Sequence, residues 1–287
     1  MTTIVPGSTA QALSVELSRE LDCPLSVPIY DRFPDGETIA AVPEFDDDRA
    51  VVVASTTSND AHVELLQLAD AVREAGADEV TVVLGYMGYA RQDRAFKPGQ
   101  PVSARALARA IGGVADRVLV VDPHEEGVLE FFDAPAASVT AADRLAIPLP
   151  EGLSTPLFVG PDGSAIDLAR GVRDGYGRGE IDYFEKERDY DTGEIKITPS
   201  DASVEGRDVV LVDDIIATGS TMSDAVAVLV DRGASRVFAA CVHPMLVGNA
   251  YATLSRSGVE RIVGTDTIER SVTDVSAAPA IAAVLSD

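Results

Sequence analysis

Two adjacent carboxylates, Asp213 and Asp214, end the aliphatic run "VVLV", and four residues later Thr218-Gly219-Ser220-Thr221 opens the helical segment "MSDAVAVLV". The turn offers backbone N–H groups, hydroxyls and the positive end of a helix, which together suit a phosphate. The carboxylates would repel that phosphate unless they face donors. Vicinal sugar hydroxyls are such donors, and a bridging divalent cation would serve as well. A ligand with a phosphate at one end and a diol at the other is described by ribose 5-phosphate. The alternative is an ordinary helix cap beside surface acids.

Other segments carry charge in a pattern that could do chemistry. Arg91, Arg94, Lys97, Arg105 and Arg109 put five bases into nineteen residues of a strongly acidic chain, which points to a local anion. Asp122 and His124 sit just after "RVLVV", where a strand's carboxyl end would make the histidine a metal ligand or a phosphate contact. "FVGPDGSAIDLAR" is another strand, turn and helix start suited to a phosphate, with Asp162 in the turn. Lys186 and Arg188 lie two apart, on one side of an expected strand, before a turn at Asp191–Gly193 and a return strand "EIKI". "DRFPDGETI" reads as a Pro-Asp-Gly turn between strands.

"VVLVDDIIATGST" resembles the phosphoribosyl-binding motif shared by phosphoribosyltransferases and ribose-phosphate pyrophosphokinases. "GYMGYARQDRAFKPGQ" resembles the "YARQD" signature of the pyrophosphokinases, which the transferases lack. The resemblance implies two phosphoribosyltransferase-like α/β domains, each a mostly parallel sheet flanked by helices. It also implies transfer of pyrophosphate from ATP to the C1 hydroxyl of ribose 5-phosphate with Mg2+. By the same likeness Arg91, Gln92 and Asp93 line the ATP site, and His124 approaches magnesium and ATP. Asp162 helps place metal, and Lys186 and Arg188 are the paired cations of the catalytic hairpin. Thr218, Gly219, Ser220 and Thr221 fix the 5-phosphate while Asp213 and Asp214 hold the ring hydroxyls. "FPDGE" is similar to a loop that crosses a subunit interface to hold adenine, with Phe33 stacking on the base and Asp35 and Glu37 accepting from its amine. A homo-oligomer, a dimer or a hexamer of dimers, follows from that borrowed loop. The rival readings are a phosphoribosyltransferase and a non-catalytic regulatory paralogue.

These residues need a scaffold, and the chain supplies one. Short β-branched runs near positions 50, 79, 117, 156, 208, 236 and 261 alternate with amphipathic helical stretches such as 60–75, where Leu65, Leu68, Ala69 and Val72 share a face ahead of Gly76. Such alternation implies parallel sheets covered on both faces. "DAVREAGADEVTVVLGY" (70–86) echoes "AVLVDRGASRVFAACVH" (227–243), so two similar domains are expected, 1–148 and 149–287, divided in the proline-rich stretch "AIPLPEGLSTP". Matching Gly76 to Gly233 makes Thr56–Thr57 the counterpart of Asp213–Asp214.

Composition narrows the rest. Acids outnumber bases 47 to 23, a net charge of −24, which argues against nucleic acid or an anionic membrane surface as partner. Lysine occurs only at 97, 186 and 196, a pattern expected of a salt-rich cytoplasm where charge is strongly screened. Cys23 and Cys241 are too few for a disulfide framework and fit no zinc spacing. The first residues lack a charged, apolar leader, and no run reaches the length of a membrane span, so a cytoplasmic protein is expected.

Overall fold

In the computed structural model, the described residues are 1–188, 195–199 and 202–286, with backbone alone at 186–188 and 195–199. Two compact units emerge, Met1–Thr140 with Asp266–Glu269 and Ser276–Asp287, and Ala141–Thr265 with Arg270–Val275. A contiguous division at 148/149 differs from this in two respects, the first being that the boundary falls earlier, between Thr140 and Ala141. The second is that the chain returns to the first unit twice near its end, and that return leaves no local signature in the sequence.

The first unit runs β1 (Thr2–Pro6), α1 (Gln11–Leu21), β2 (Ile29–Arg32), β3 (Thr38–Ala41), β4 (Arg49–Ser55), α2 (Asn59–Glu74), β5 (Glu79–Tyr86), α3 (Ser103–Gly112), β6 (Arg117–Val121) and β7 (Ala136–Val139). Its parallel sheet has the order β1-β4-β5-β6-β7, and β2 and β3 form a separate antiparallel hairpin. The second unit runs β8 (Leu157–Gly160), α4 (Ile166–Tyr176), β9 (Glu180–Arg188), β10 (Ile195–Pro199), β11 (Asp208–Ile215), α5 (Ser220–Asp231), β12 (Arg236–His243), α6 (Ala250–Ser257), β13 (Val259–Thr265) and β14 (Thr273–Val275). Its sheet order is β10-β9-β8-β11-β12-β13-β14. The last helix, α7 (Ala278–Leu285), packs on α1 of the first unit.

The two sheets share one plan: β1-β4-β5-β6-β7 repeats as β8-β11-β12-β13-β14, and each unit inserts a hairpin after its first helix. The hydrogen bonding repeats too. Ala77 N donates to Val72 O at 2.9 Å and Ala234 N to Leu229 O at 3.0 Å, closing α2 and α5 in the same way. Gly76 and Gly233 take left-handed φ values of 110° and 84° at these ends. Asp78 N donates to Asp48 O and Ser235 N to Arg207 O, both at 2.7 Å.

Strand register corrects one expectation. Arg49 pairs with Glu79 and Ala54 with Leu84, while Asp208 pairs with Arg236 and Asp213 with Cys241. The counterparts of Asp213 and Asp214 are therefore Ala54 and Ser55, not Thr56 and Thr57. Counting back from the glycines fails because α2 has 16 residues and α5 only 12.

Apolar side chains explain why the sheets form. Val80, Val82, Val83 and Leu84 of β5, and Val209, Val210, Leu211 and Val212 of β11, are fully buried. Strands buried on both faces read as unbroken aliphatic runs. Among the described residues no helix is long and apolar enough to cross a membrane.

Candidate functional site

In the second unit, β11 and β8 lie side by side and their carboxyl ends carry the acids. Asp213 and Asp214 are half-buried at the end of β11, and Asp214 N donates to Asp213 Oδ1 at 3.0 Å. Burial raises the Asp213 pKa well above the usual carboxylate range, and the charges of Asp214 and then Asp162 push in the same direction. Three acids thus share one neighbourhood at a place where open α/β sheets collect ligands. A cation or hydroxyl donors would relieve their repulsion.

The phosphate cradle is built by the turn into α5. Gly219 caps the helix with φ 76°, and Ser223 N makes the first helical bond to Gly219 O at 2.8 Å. The N–H groups of Ser220, Thr221 and Met222 therefore belong to the first turn, where a helix has no acceptors of its own. Thr218, Ser220 and Thr221 are exposed, and the Thr218 and Ser220 hydroxyls lie 3.1 Å apart. The turn is braced from behind by the segment after β12: Leu246 N donates to Ile216 O at 2.8 Å and Val247 N to Ala217 O at 2.9 Å. Sequence reasoning missed that brace. Its only signal is a strand followed by Pro244.

Asp162 ends the β8 turn, where its Oδ1 accepts from Ser164 N at 3.1 Å and from the Ser164 hydroxyl. Part of its carboxylate is thus committed to shaping the turn into α4. Lys186 and Arg188 lie on the β9 backbone, paired with Ile197 and Ile195 of β10 in the expected hairpin. Their side chains, and the turn at 191–193, lie outside the described residues.

In the first unit, the segment 88–93 follows β5. Tyr89 takes a left-handed φ of 63° and its hydroxyl donates to Asn59 Oδ1 at 2.6 Å. Gly88 N donates to Thr56 Oγ1 at 2.8 Å. A β-carbon on Gly88 would stand 2.1 Å from Thr56 O, so no other residue fits. Arg91 is exposed and Asp93 half-buried. Gln92 is used internally: its Nε2 donates to Pro101 O at 3.2 Å, and its Oε1 accepts from Ser103 Oγ at 2.7 Å. It clamps the base of the loop that carries Arg94 and Lys97, and Arg94 lies over the exposed Phe96 ring at 5.3 Å.

His124 is exposed just after β6, and Asp122, which precedes it by two, takes a left-handed φ of 34°. Strained backbone of this kind gathers at functional positions. Phe33, Asp35 and Glu37 are all exposed at the tip of the β2–β3 hairpin. Gly36 N donates to Phe33 O at 2.9 Å and Phe33 N to Glu37 O at 2.8 Å, closing the expected turn. Gln67 of α2 holds the hairpin from its outer edge, accepting from Ala40 N at 3.0 Å and donating to Thr38 O at 2.8 Å. Among the described residues no group of three or more His, Cys, Asp or Glu is arranged to hold a metal on its own.

A family model described as the N-terminal domain of ribose phosphate pyrophosphokinase matches residues 2–114. A second, described as the phosphoribosyl transferase domain, matches residues 132–276. The chain is 55% identical over 283 residues to a ribose-phosphate pyrophosphokinase of Halobacterium salinarum, covering 98% of this chain and all of the relative. The corresponding protein of Methanopyrus kandleri is 44% identical, with 97% of each chain covered. A solved structure of phosphoribosylpyrophosphate synthetase from Mycobacterium smegmatis superposes with a TM-score of 0.85 at 25% identity, covering 99% of this chain and 97% of that one.

Proposed function

Because the chain belongs to the ribose-phosphate pyrophosphokinase family, we propose that it transfers the pyrophosphoryl group of ATP to the C1 hydroxyl of ribose 5-phosphate, giving phosphoribosyl pyrophosphate and AMP. The observation that carries this reading is the pairing, on one strand–turn–helix, of the adjacent acids Asp213 and Asp214, the first with its pKa raised by burial and by its neighbour's charge, with an exposed helix-start cradle. It matches a ligand with a diol at one end and a phosphate at the other. Thr218, Gly219, Ser220 and Thr221 hold the 5-phosphate, and Asp213 and Asp214 accept from the ring hydroxyls. Arg91 and Asp93 contact ATP, with Gln92 keeping their loop in shape. His124 meets the triphosphate, and Phe33, Asp35 and Glu37 read the adenine. Lys186 and Arg188 stabilise the charge that builds on the transferred group. In-line displacement needs positioning and charge stabilisation more than covalent chemistry.

Mg2+ is the metal we assign. The donors suit it: Asp162, Asp213 and Asp214 are hard oxygen ligands gathered near one another. Mg2+ is commonly held by one or two carboxylates plus substrate phosphates and water, which fits the lack, among the described residues, of a self-sufficient ligand cluster. When bound it would neutralise the phosphate oxygens and polarise the phosphorus under attack. His124 is a poor match for so hard an ion, so a phosphate or water contact suits it better.

A homo-oligomer is also proposed. Val27, Ile29 and Ile39, on and beside the β2–β3 hairpin, are 75%, 56% and 43% exposed, apolar area of the kind a partner subunit covers. A salt-rich cytoplasm is the setting that the charge balance and the Halobacterium relative favour.

The test is direct. With ATP, ribose 5-phosphate and Mg2+ in concentrated KCl, AMP and a pyrophosphorylated sugar should appear together. ADP in place of AMP would overturn the assignment.

A further inference from the structure

The buried face of α2 is apolar, built from Ala61, Leu65, Leu68, Ala69 and Val72, with one exception. His62 is only 5% exposed, and neither ring nitrogen has a hydrogen-bond partner among the described residues. A leucine would fill such a position without desolvating two polar atoms. A polar ring kept at this cost calls for a reason beyond packing.

Its neighbours supply one. A β-carbon on Gly88 would stand 3.0 Å from His62 Nε2, so the backbone at 88 lies directly against the ring. The Tyr89 ring centroid is 5.6 Å from that of His62, tilted by 45°. Tyr89 holds its left-handed φ of 63° between this contact and the hydrogen bond to Asn59, both from the start of α2. Gln92 N then donates to Tyr89 O at 2.9 Å, so the turn that presents Arg91 closes on Tyr89. Burial lowers the His62 pKa to about 4, keeping the ring neutral at this contact.

We propose that His62 is a positioning residue for nucleotide binding, acting through Gly88 and Tyr89 to set the turn that carries Arg91 and Asp93. The inference rests on the reading that those residues contact ATP. The site it sets differs from the ribose 5-phosphate cradle, which belongs to the other unit.

The experiment compares His62→Leu, His62→Gln and Arg91→Ala with the wild type in the same KCl and Mg2+, reading KM for ATP, KM for ribose 5-phosphate, kcat and Tm. For His62→Leu, KM for ATP should rise about 5- to 30-fold, the range expected if one or two kcal/mol of preorganisation is lost. KM for ribose 5-phosphate should stay within about twofold, and Tm should hold or increase because two unsatisfied polar atoms are gone. His62→Gln, planar and polar, should recover most of the ATP affinity. An unchanged KM for ATP in folded His62→Leu, while Arg91→Ala raises it, overturns the positioning role alone. An unchanged KM for ATP in both variants overturns the placement of ATP on this turn. A lowered Tm with both KM values rising together means ordinary packing and also overturns the proposal. Should the leucine variant not fold, His62→Ala is read by the same outcomes.

Discussion

Replacing Gly219 by alanine puts a β-carbon on a backbone with φ 76°, at the entrance to α5. A left-handed conformation costs an alanine roughly 1–2 kcal/mol. The new carbon would also stand 3.3 Å from Ala250 O and from Leu254 Cγ, and 3.4 Å from Leu254 Cδ1. Leu254 is fully buried, so it has little room to give way. The sum is about 2 kcal/mol, and it can go two ways. If the turn keeps its shape, stability falls by that amount and Tm drops by several degrees. If the turn relaxes, the first N–H groups of α5 leave the phosphate and affinity for ribose 5-phosphate drops about 5- to 30-fold. The assay is steady-state kinetics with each substrate varied at saturating levels of the other, alongside thermal unfolding in the same salt. KM for ribose 5-phosphate should rise while KM for ATP stays within about twofold. Equal rises in both, or no change in either KM or Tm, would refute the cradle geometry.

Other outcomes follow from charge and burial. Asp213→Asn removes one of three mutually repelling acids, so Tm without Mg2+ should increase at neutral pH while turnover falls on the order of 10²-fold; a fall in Tm would contradict the repulsion. Asp208 is 1% exposed and accepts from Arg236 Nε at 3.0 Å and Nη2 at 2.5 Å and from Ser154 N at 2.6 Å. Asp208→Ala should cost about 2 kcal/mol in denaturant unfolding, with kcat per folded molecule unchanged. The Arg236 hydrogen bond leads in lowering the Asp208 pKa, so this contribution is present above the ordinary carboxylate range and disappears as pH falls through the lowered value. His62 titrates at about 4 when folded against 6.5 for the free ring, so the unfolded chain takes up its proton first as pH falls. His62 should therefore remove up to about 3 kcal/mol of stability between pH 6.5 and 4, and the gap between wild type and His62→Leu should widen across that window.

Much of the scaffold was legible because its signals are local. Every aliphatic run read as a strand is one, since strands buried on both faces leave uninterrupted β-branched sequence. β1 escaped notice because "TTIVP" is short and ends in proline, and β7 because "AASV" is small and partly exposed. That Asp213, Asp214 and the Thr218–Thr221 turn share one strand–turn–helix was readable because the aliphatic run, the turn and the helix start are contiguous in sequence. The counterpart of the acid pair was misplaced by two residues, because helix length and loop length trade against each other without changing the strands. Gln92, expected at the ATP site, has a second task with no signature in the sequence: both ends of its amide bond the loop base. His62 was invisible: one polar residue on an apolar helical face means nothing until Gly88 and Tyr89 are seen to rest on it.

The return of Asp266–Glu269 and Ser276–Asp287 to the first unit has a consequence for how the protein comes into being. The Ser55 hydroxyl donates to Thr267 O, and Ala12 N donates to Glu269 Oε1 at 2.8 Å, so the opening strands and helix of the chain are completed by its closing residues. On the ribosome the portion that emerges earliest is therefore finished last, after the whole of the other unit has left the exit tunnel. A stop codon placed just before Ser276 would strip α7 from the first unit while leaving every strand of the second, and no single cut yields two self-sufficient halves.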